Sequence, residues 1–121
     1  MTVVLDTNVV LYLLGNSLAK PLPGGPYSVS VITEMELLSY PSLTDIEEQR
    51  IRDLLASVAI IELSLEIREA AIRIRREHRL KLPDAIIAGT AIATNLELLT
   101  NDRRFARVPD LRCHVVEVSG H

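Results

Sequence analysis

Five short runs of aliphatic and β-branched residues recur along this chain, at 2–5, 27–31, 59–63, 98–100 and 113–118. Each is separated from the next by a stretch with helical spacing or helix-end signals. Strands that alternate with helices and carry near-continuous apolar runs belong to parallel sheets covered on both faces. The expected architecture is therefore a three-layer α/β/α sandwich with a mainly parallel central sheet.

The intervening segments carry their own punctuation. Residues 9–14 form a short apolar helix closed by Gly15-Asn16, and the Pro/Gly-rich stretch 21–26 forbids regular structure. A short helix over 33–39 stops before Pro41. Thr44 and Glu47 make a capping box, each side chain satisfying the other's free backbone amide, ahead of Ile51, Leu54, Leu55 and Val58 at helical spacing. Ser64 caps a helix running to His78, with Leu63, Ile67, Ala70, Ala71 and Ile74 as its apolar stripe and Glu66, Glu69, Arg73 and Arg76 on the wet side. Pro83 opens a helix over 83–94 that is apolar almost all round, which predicts burial on several sides, and Asn95 ends it in a left-handed cap. A turn of helix is expected at 102–106.

At 121 residues the chain suits one domain, 1–118, with a tail at 119–121. Aromatics make up 3% of it and Trp is absent, so the core must be built from Leu, Ile, Val and Ala. Cys113 is the single cysteine, which excludes an intrachain disulfide and reads as a small buried hydrophobe. No basic leader precedes the first apolar run and no apolar run approaches the ~20 residues that span a bilayer. A soluble, cytoplasmic protein without a membrane partner is expected. The formal net charge of -3 argues against holding nucleic acid by bulk electrostatics alone, but is compatible with a nuclease whose acids gather cations.

The acids fall where a parallel sheet builds its sites, outside the carboxyl ends of the strands. Asp6 ends the first run, and Asp102 lies just past Thr100, where the fourth ends. Asp84 occupies the first turn of the buried helix, and Glu36 the short helix after the second strand. None has an obvious basic neighbour to neutralise it. Brought together without counterions, they should raise at least one pKa unless a cation enters, and hard oxygen ligands suit Mg²⁺ or Mn²⁺. Each acid also has a purely structural explanation. Asp6 and Asp102 are good helix caps, and Asp84 is favoured by the helix macrodipole. Glu34 and Glu36 point roughly 200° apart on a helix, so one of them can line a site, and periodicity does not choose which.

Four segments taken together carry a family resemblance: Val3-Val4-Leu5-Asp6-Thr7-Asn8-Val9, Ser30-Val31-Ile32-Thr33-Glu34-Met35-Glu36-Leu37-Leu38, Leu82-Pro83-Asp84-Ala85-Ile86-Ile87-Ala88 and Leu98-Leu99-Thr100-Asn101-Asp102-Arg103-Arg104-Phe105. In order and spacing they resemble the signature blocks of PIN-domain ribonucleases, and the whole chain resembles the VapC-type toxins of toxin–antitoxin pairs. The resemblance implies metal-dependent endoribonuclease activity, with Asp6, Glu36, Asp84 and Asp102 as the acidic set. It implies Mg²⁺ or Mn²⁺ held by Asp6, Asp84 and Asp102, and support from Thr7, Asn8 and Thr100. The family pattern selects Glu36 over Glu34. It also implies products with 5′-phosphate and 3′-hydroxyl ends, an RNA substrate, a cognate antitoxin and a homodimer.

Among the basic residues, Arg103 and Arg104 adjoin Asp102 and are the expected substrate contacts. Arg73, Arg75, Arg76, Arg79 and Lys81 form a basic run that could hold an RNA backbone beside Asp84, but reads more simply as a solvated helix face paired with Glu66, Glu69 and Glu77, with Glu69 and Arg73 in i,i+4 register. His78 reads as a helix-end residue. Val9, Val10, Leu11, Leu13 and Leu14 exceed what a short helix needs for its core contact, and part of that surface is expected to meet a second subunit or the antitoxin. Rival classes fit less well. A haloacid-dehalogenase-like phosphatase needs a second Asp two positions after the first, where this chain has Asn8. A receiver-like regulatory domain finds no supporting Lys or phosphoacceptor arrangement. A non-catalytic PIN-like binding module would keep buried carboxylates without using them, which is unfavourable.

Overall fold

A computed structural model describes residues 3–119 of the chain. Its strands are β1 (Val3–Leu5), β2 (Tyr27–Ser30), β3 (Ala59–Ile61), β4 (Leu98–Thr100) and β5 (Cys113–Val115). They form one sheet in the order β3-β2-β1-β4-β5, and all four pairings are parallel. The helices are α1 (Thr7–Leu14), α2 (Val31–Leu38), α3 (Asp45–Ala56), α4 (Leu65–His78) and α5 (Leu82–Thr94), with a 3₁₀ turn at Arg103–Arg107. The chain moves outward from β1 to β2 and β3, then returns to lay β4 on the other side of β1. The carboxyl ends of β1 and β4 therefore flank the point where strand order reverses, the usual crevice of an open parallel sheet.

The unbroken apolar runs are explained by two cores. Val4 and Leu98 pack with Ala70, Ile74, Ala88 and Ala91 of α4 and α5. Their sequence neighbours Leu5 and Leu99 pack on the opposite face with Val9, Val10, Leu37 and Ile51 of α1, α2 and α3. Successive strand residues point to opposite faces, so both must be apolar when both faces are covered. This is the α/β/α sandwich expected from the sequence.

Local chemistry sets the boundaries, and several differ from the sequence expectation. The second strand ends at Ser30 rather than Val31 because the Ser30 hydroxyl accepts the Ile32 N–H at 3.1 Å and starts α2 there. The Thr44–Glu47 capping box forms in full. Ser64 accepts the Ile67 N–H at 3.2 Å and begins α4, which leaves Leu63 41% exposed and outside the buried stripe. α4 ends on Arg79 in the left-handed conformation, and α5 ends on Asn95 in the same way. The last strand stops at Val115, and Val118 instead makes an isolated antiparallel bridge with Leu18. Thr2, Gly120 and His121, on which an expected strand start and tail fall, lie outside the described residues; Ser119 is tied by its N–H to the Ser17 carbonyl at 2.7 Å.

One further expectation is narrowed and one is corrected. Val9 and Val10 are fully buried in the α1–α3 core, leaving Leu11, Leu13 and Leu14 as the apolar surface of α1. Glu69 and Arg73 do not close an ion pair among the described residues, because both side chains are exposed and water competes for them. Arg75, Arg76 and His78 sit in the last turn of α4, where positive charge complements the helix dipole. No helix among the described residues is long and apolar enough to cross a membrane.

Candidate active site

One polar cleft of about 250 Å³ opens at the carboxyl ends of β1 and β4, lined by Asp6, Thr7, Asn8, Glu36, Tyr40, Lys81, Pro83, Asp84, Asp102 and Arg104. All four acids singled out in the sequence line it, together with Thr7 and Asn8. Thr100 stands directly beneath.

Asp6 is only 3% exposed. It precedes α1, yet its side chain makes no cap hydrogen bond; Oδ2 instead accepts the Thr100 hydroxyl at 2.7 Å. Thr100 in turn accepts the Asp102 N–H at 3.0 Å, so one hydroxyl fixes both the buried carboxylate and the backbone that carries its neighbour. Burial pushes the Asp6 carboxyl up to about 6, partly opposed by the Thr100 bond and reinforced by the charge of Asp84.

Glu36 is oriented through a second set of hydroxyls. Thr7 Oγ1 donates to Glu36 Oε1 at 2.8 Å and lies 2.9 Å from Thr33 Oγ1. A hydroxyl has one proton to give, so with Thr7 committed to the carboxylate, Thr33 must be the donor to Thr7. The chain Thr33→Thr7→Glu36 is fully directed. Glu34, two residues earlier, does not line the cleft.

The expectation that no basic residue neutralises the acids is corrected by Arg104. Its Nε lies 3.0 Å from both Asp102 oxygens, and Nη2 lies 2.5 Å from Asp102 Oδ2 and 3.5 Å from Asp84 Oδ2. Sequence proximity did not reveal this because an Arg two residues away reaches its neighbour only when the backbone turns sharply. The 3₁₀ turn supplies that bend, and Asp102 also caps it by accepting the Arg104 N–H at 3.0 Å. The guanidinium's hydrogen bond holds the Asp102 carboxyl below its ordinary range. Burial raises the Asp84 carboxyl, while Arg104 opposes the rise. Among the described residues no three His, Cys, Asp or Glu side chains are arranged to share one ion as they stand.

Other side chains fall differently. Arg103 is exposed and does not line the cleft. Tyr40 and Lys81 also line it: Lys81 is the end of the basic run leading up to Pro83-Asp84, and Tyr40 carries no expectation from the sequence. Thr33 precedes Glu36 by three residues on α2, one helical turn away, whereas Tyr40 lies two residues past the end of that helix and carries no such spacing signal. Lys81 immediately precedes the Leu82-Pro83-Asp84 block. Cys113 lies half-buried on β5, and burial pushes its thiol up to about 11, away from nucleophile chemistry.

The PIN domain family matches residues 3–111. A chain of a toxin–antitoxin complex from Klebsiella pneumoniae is 33% identical, with 90% of this chain and 94% of that chain covered and a TM-score of 0.74. VapBC2 from Rickettsia felis, solved bound to a DNA fragment from its promoter, superposes with a TM-score of 0.81 at 23% identity, covering 97% of this chain and 100% of that one. VapBC-1 from nontypeable Haemophilus influenzae gives 0.75 at 24% identity, covering 95% and 98%. At these lower identities the likeness is one of fold. No curated protein matches the sequence significantly. The chain belongs to the PIN domain family, whose members are generally nucleases.

Proposed function

We propose that this protein is a metal-dependent endoribonuclease and the toxin of a toxin–antitoxin pair, acting on RNA in the cytoplasm. The observation that carries the reading is the convergence of Asp6, Glu36, Asp84 and Asp102 on one cleft at the strand-order reversal of a PIN-family sheet.

The donor set fits a hard divalent cation. Asp6, Asp84 and Asp102 offer carboxylate oxygens only, the chemistry that suits Mg²⁺ or Mn²⁺. A cationic guanidinium already bridges two of them, so the cleft accepts positive charge between Asp84 and Asp102. Such an ion supplies a lowered pKa for water and neutralisation of the phosphate's charge. Asp6, Asp84 and Asp102 would hold it. Thr100 keeps Asp6 fixed for that task. Glu36, aimed by Thr7, orients the attacking water and accepts its proton. Lys81 and Arg104 supply positive charge for the scissile phosphate, and Asn8 adds an amide at the rim. Hydrolysis then leaves 5′-phosphate and 3′-hydroxyl ends.

The partner reading rests on the Klebsiella pneumoniae and VapBC assemblies and on the surface of α1. Leu11 and Leu14, with Tyr40, Leu43 and Ile51, line a mainly apolar groove of about 490 Å³. We assign this groove to contact with the antitoxin, and a homodimer to the free toxin.

Incubation of the purified protein with structured RNAs in Mg²⁺, Mn²⁺ or EDTA, beside Asp6→Asn and Asp84→Asn, tests the activity. Metal-dependent cleavage abolished by both substitutions is expected. Cleavage that survives EDTA or both substitutions overturns the mechanism, and inactivity of a folded protein on every RNA favours a binding module.

A further inference from the structure

Arg104 holds a position that RNA binding alone does not explain. A residue kept for phosphate contact is expected to reach toward solvent, yet this guanidinium folds back over its own 3₁₀ turn onto Asp102 and Asp84. Its root is fixed by the Arg104 N–H bond to Asp102 Oδ1 at 3.0 Å, so the side chain stays within reach of both carboxylates. A charge-assisted fork of this kind is directional and favourable. It is also replaceable: the Arg104 side chain is 49% exposed, and water-accessible ion pairs are weakly held.

The carboxylates it occupies are two of the three assigned above to the metal. An oxygen that accepts a guanidinium proton does not offer the same lone pair to a divalent ion, and two positive charges drawn to one pair of carboxylates repel each other. Metal and guanidinium therefore compete for one pair of acids. We propose that Arg104 is a tethered internal cation that occupies Asp84 and Asp102 until a divalent ion displaces it. The inference rests on the nuclease reading of the same cleft. The exchange breaks no covalent bond. It lowers apparent metal affinity by the fraction of time the clamp is open: a clamp closed ~90% of the time weakens apparent binding about tenfold. Displacement would also free the guanidinium to meet a substrate phosphate. Arg104 is then a positioning residue before metal binding and a substrate contact after it.

The test uses the full chain stripped of metal with EDTA and then dialysed. Mn²⁺ binding to wild type and Arg104→Gln is measured by calorimetry. In parallel, the Arg104 Nε–H of ¹⁵N-labelled wild type is followed by NMR as Mg²⁺ is added. The expected results are about tenfold tighter Mn²⁺ binding by Arg104→Gln and movement of the Arg104 Nε–H signal to an exchanging, solvent-exposed position at saturating Mg²⁺. Equal Mn²⁺ affinity in the two proteins, or an Nε–H signal that stays protected in the Mg²⁺-loaded protein, overturns the exchange and leaves the nuclease reading standing. No divalent binding in either protein overturns both.

Discussion

Thr100 gives its hydroxyl proton to Asp6 Oδ2 at 2.7 Å, joining residues 94 positions apart in the chain. The bond satisfies one oxygen of a carboxylate that burial otherwise disfavours. Thr100→Val keeps the β-branched shape but leaves that oxygen without its donor. The loss is predicted to cost about 1–3 kcal/mol at neutral pH and to raise the Asp6 pKa further above its present value of about 6. Denaturant unfolding measures the first effect and carboxyl NMR titration the second. An Asp6 pKa unchanged by the substitution counts against the bond as a determinant of that carboxylate.

Asp6 also gives stability a pH dependence whose sign is fixed by its raised pKa. The folded state keeps the proton until about pH 6, while the unfolded chain releases it near 3.8. Asp6 therefore favours folding fully below 3.8, and that contribution is lost as pH rises through 6. The swing is on the order of 3 kcal/mol. Asp84, also raised, adds in the same direction, and Asp102, lowered, opposes it. Subtracting the stability profile of Asp6→Asn from that of wild type isolates the Asp6 part. In EDTA the difference should fall across roughly pH 4 to 6.5 and leave Asp6→Asn the more stable protein above it. A flat difference across that window contradicts the burial-driven shift.

Gly89 sets how closely α5 approaches α4. A Cβ at this position would stand 3.0 Å from the Ala71 backbone N and 3.1 Å from the Ile67 carbonyl. Both obstacles are helix backbone, which cannot swing aside as a side chain does. Gly89→Val is predicted to destabilise by about 2 kcal/mol or more, overpacking outweighing the gain in helix propensity. A lowered denaturation midpoint with an unchanged slope is the expected signature.

The fold was legible because each local signal agreed with the global one. Val4 beside Leu5 and Leu98 beside Leu99 announce a sheet covered on both faces, and the Thr44–Glu47 capping box forms as written. What the sequence hid were relationships set by exact turn geometry. Ser30 could extend a strand or cap a helix, and its side-chain bond to Ile32 decided. Arg79 is an unusual residue for a left-handed cap, since a side chain there is strained where glycine is not. At the site, the four acids could be named from order and spacing together with the family resemblance. Their counterion could not, because the fold of Arg104 onto Asp102 depends on a 3₁₀ bend that neighbouring residue types do not specify. Nor could the Thr33–Thr7–Glu36 relay be read, since it joins residues from two helices across 29 positions.

That relay yields the last prediction, which separates orientation from binding. Thr7 contacts Glu36 from inside the fold, and on the nuclease reading proposed above its part is to aim the carboxylate. Thr7→Val keeps the volume, removes the only proton donated to Glu36 Oε1 by that residue, and leaves the Thr33 hydroxyl without its acceptor. Loss of such an orienting partner lowers activity by about ten- to a hundredfold. If Glu36 orients water rather than RNA, the loss falls on kcat with KM nearly unchanged. Thr7→Ser restores the donor without the methyl group and should recover most of the rate. A fall in KM-dependent terms alone, or no rescue by Ser, would show that Thr7 matters for packing or RNA binding instead. Single-turnover cleavage at saturating Mg²⁺ is the appropriate measurement, because it reports the chemical step free of product release.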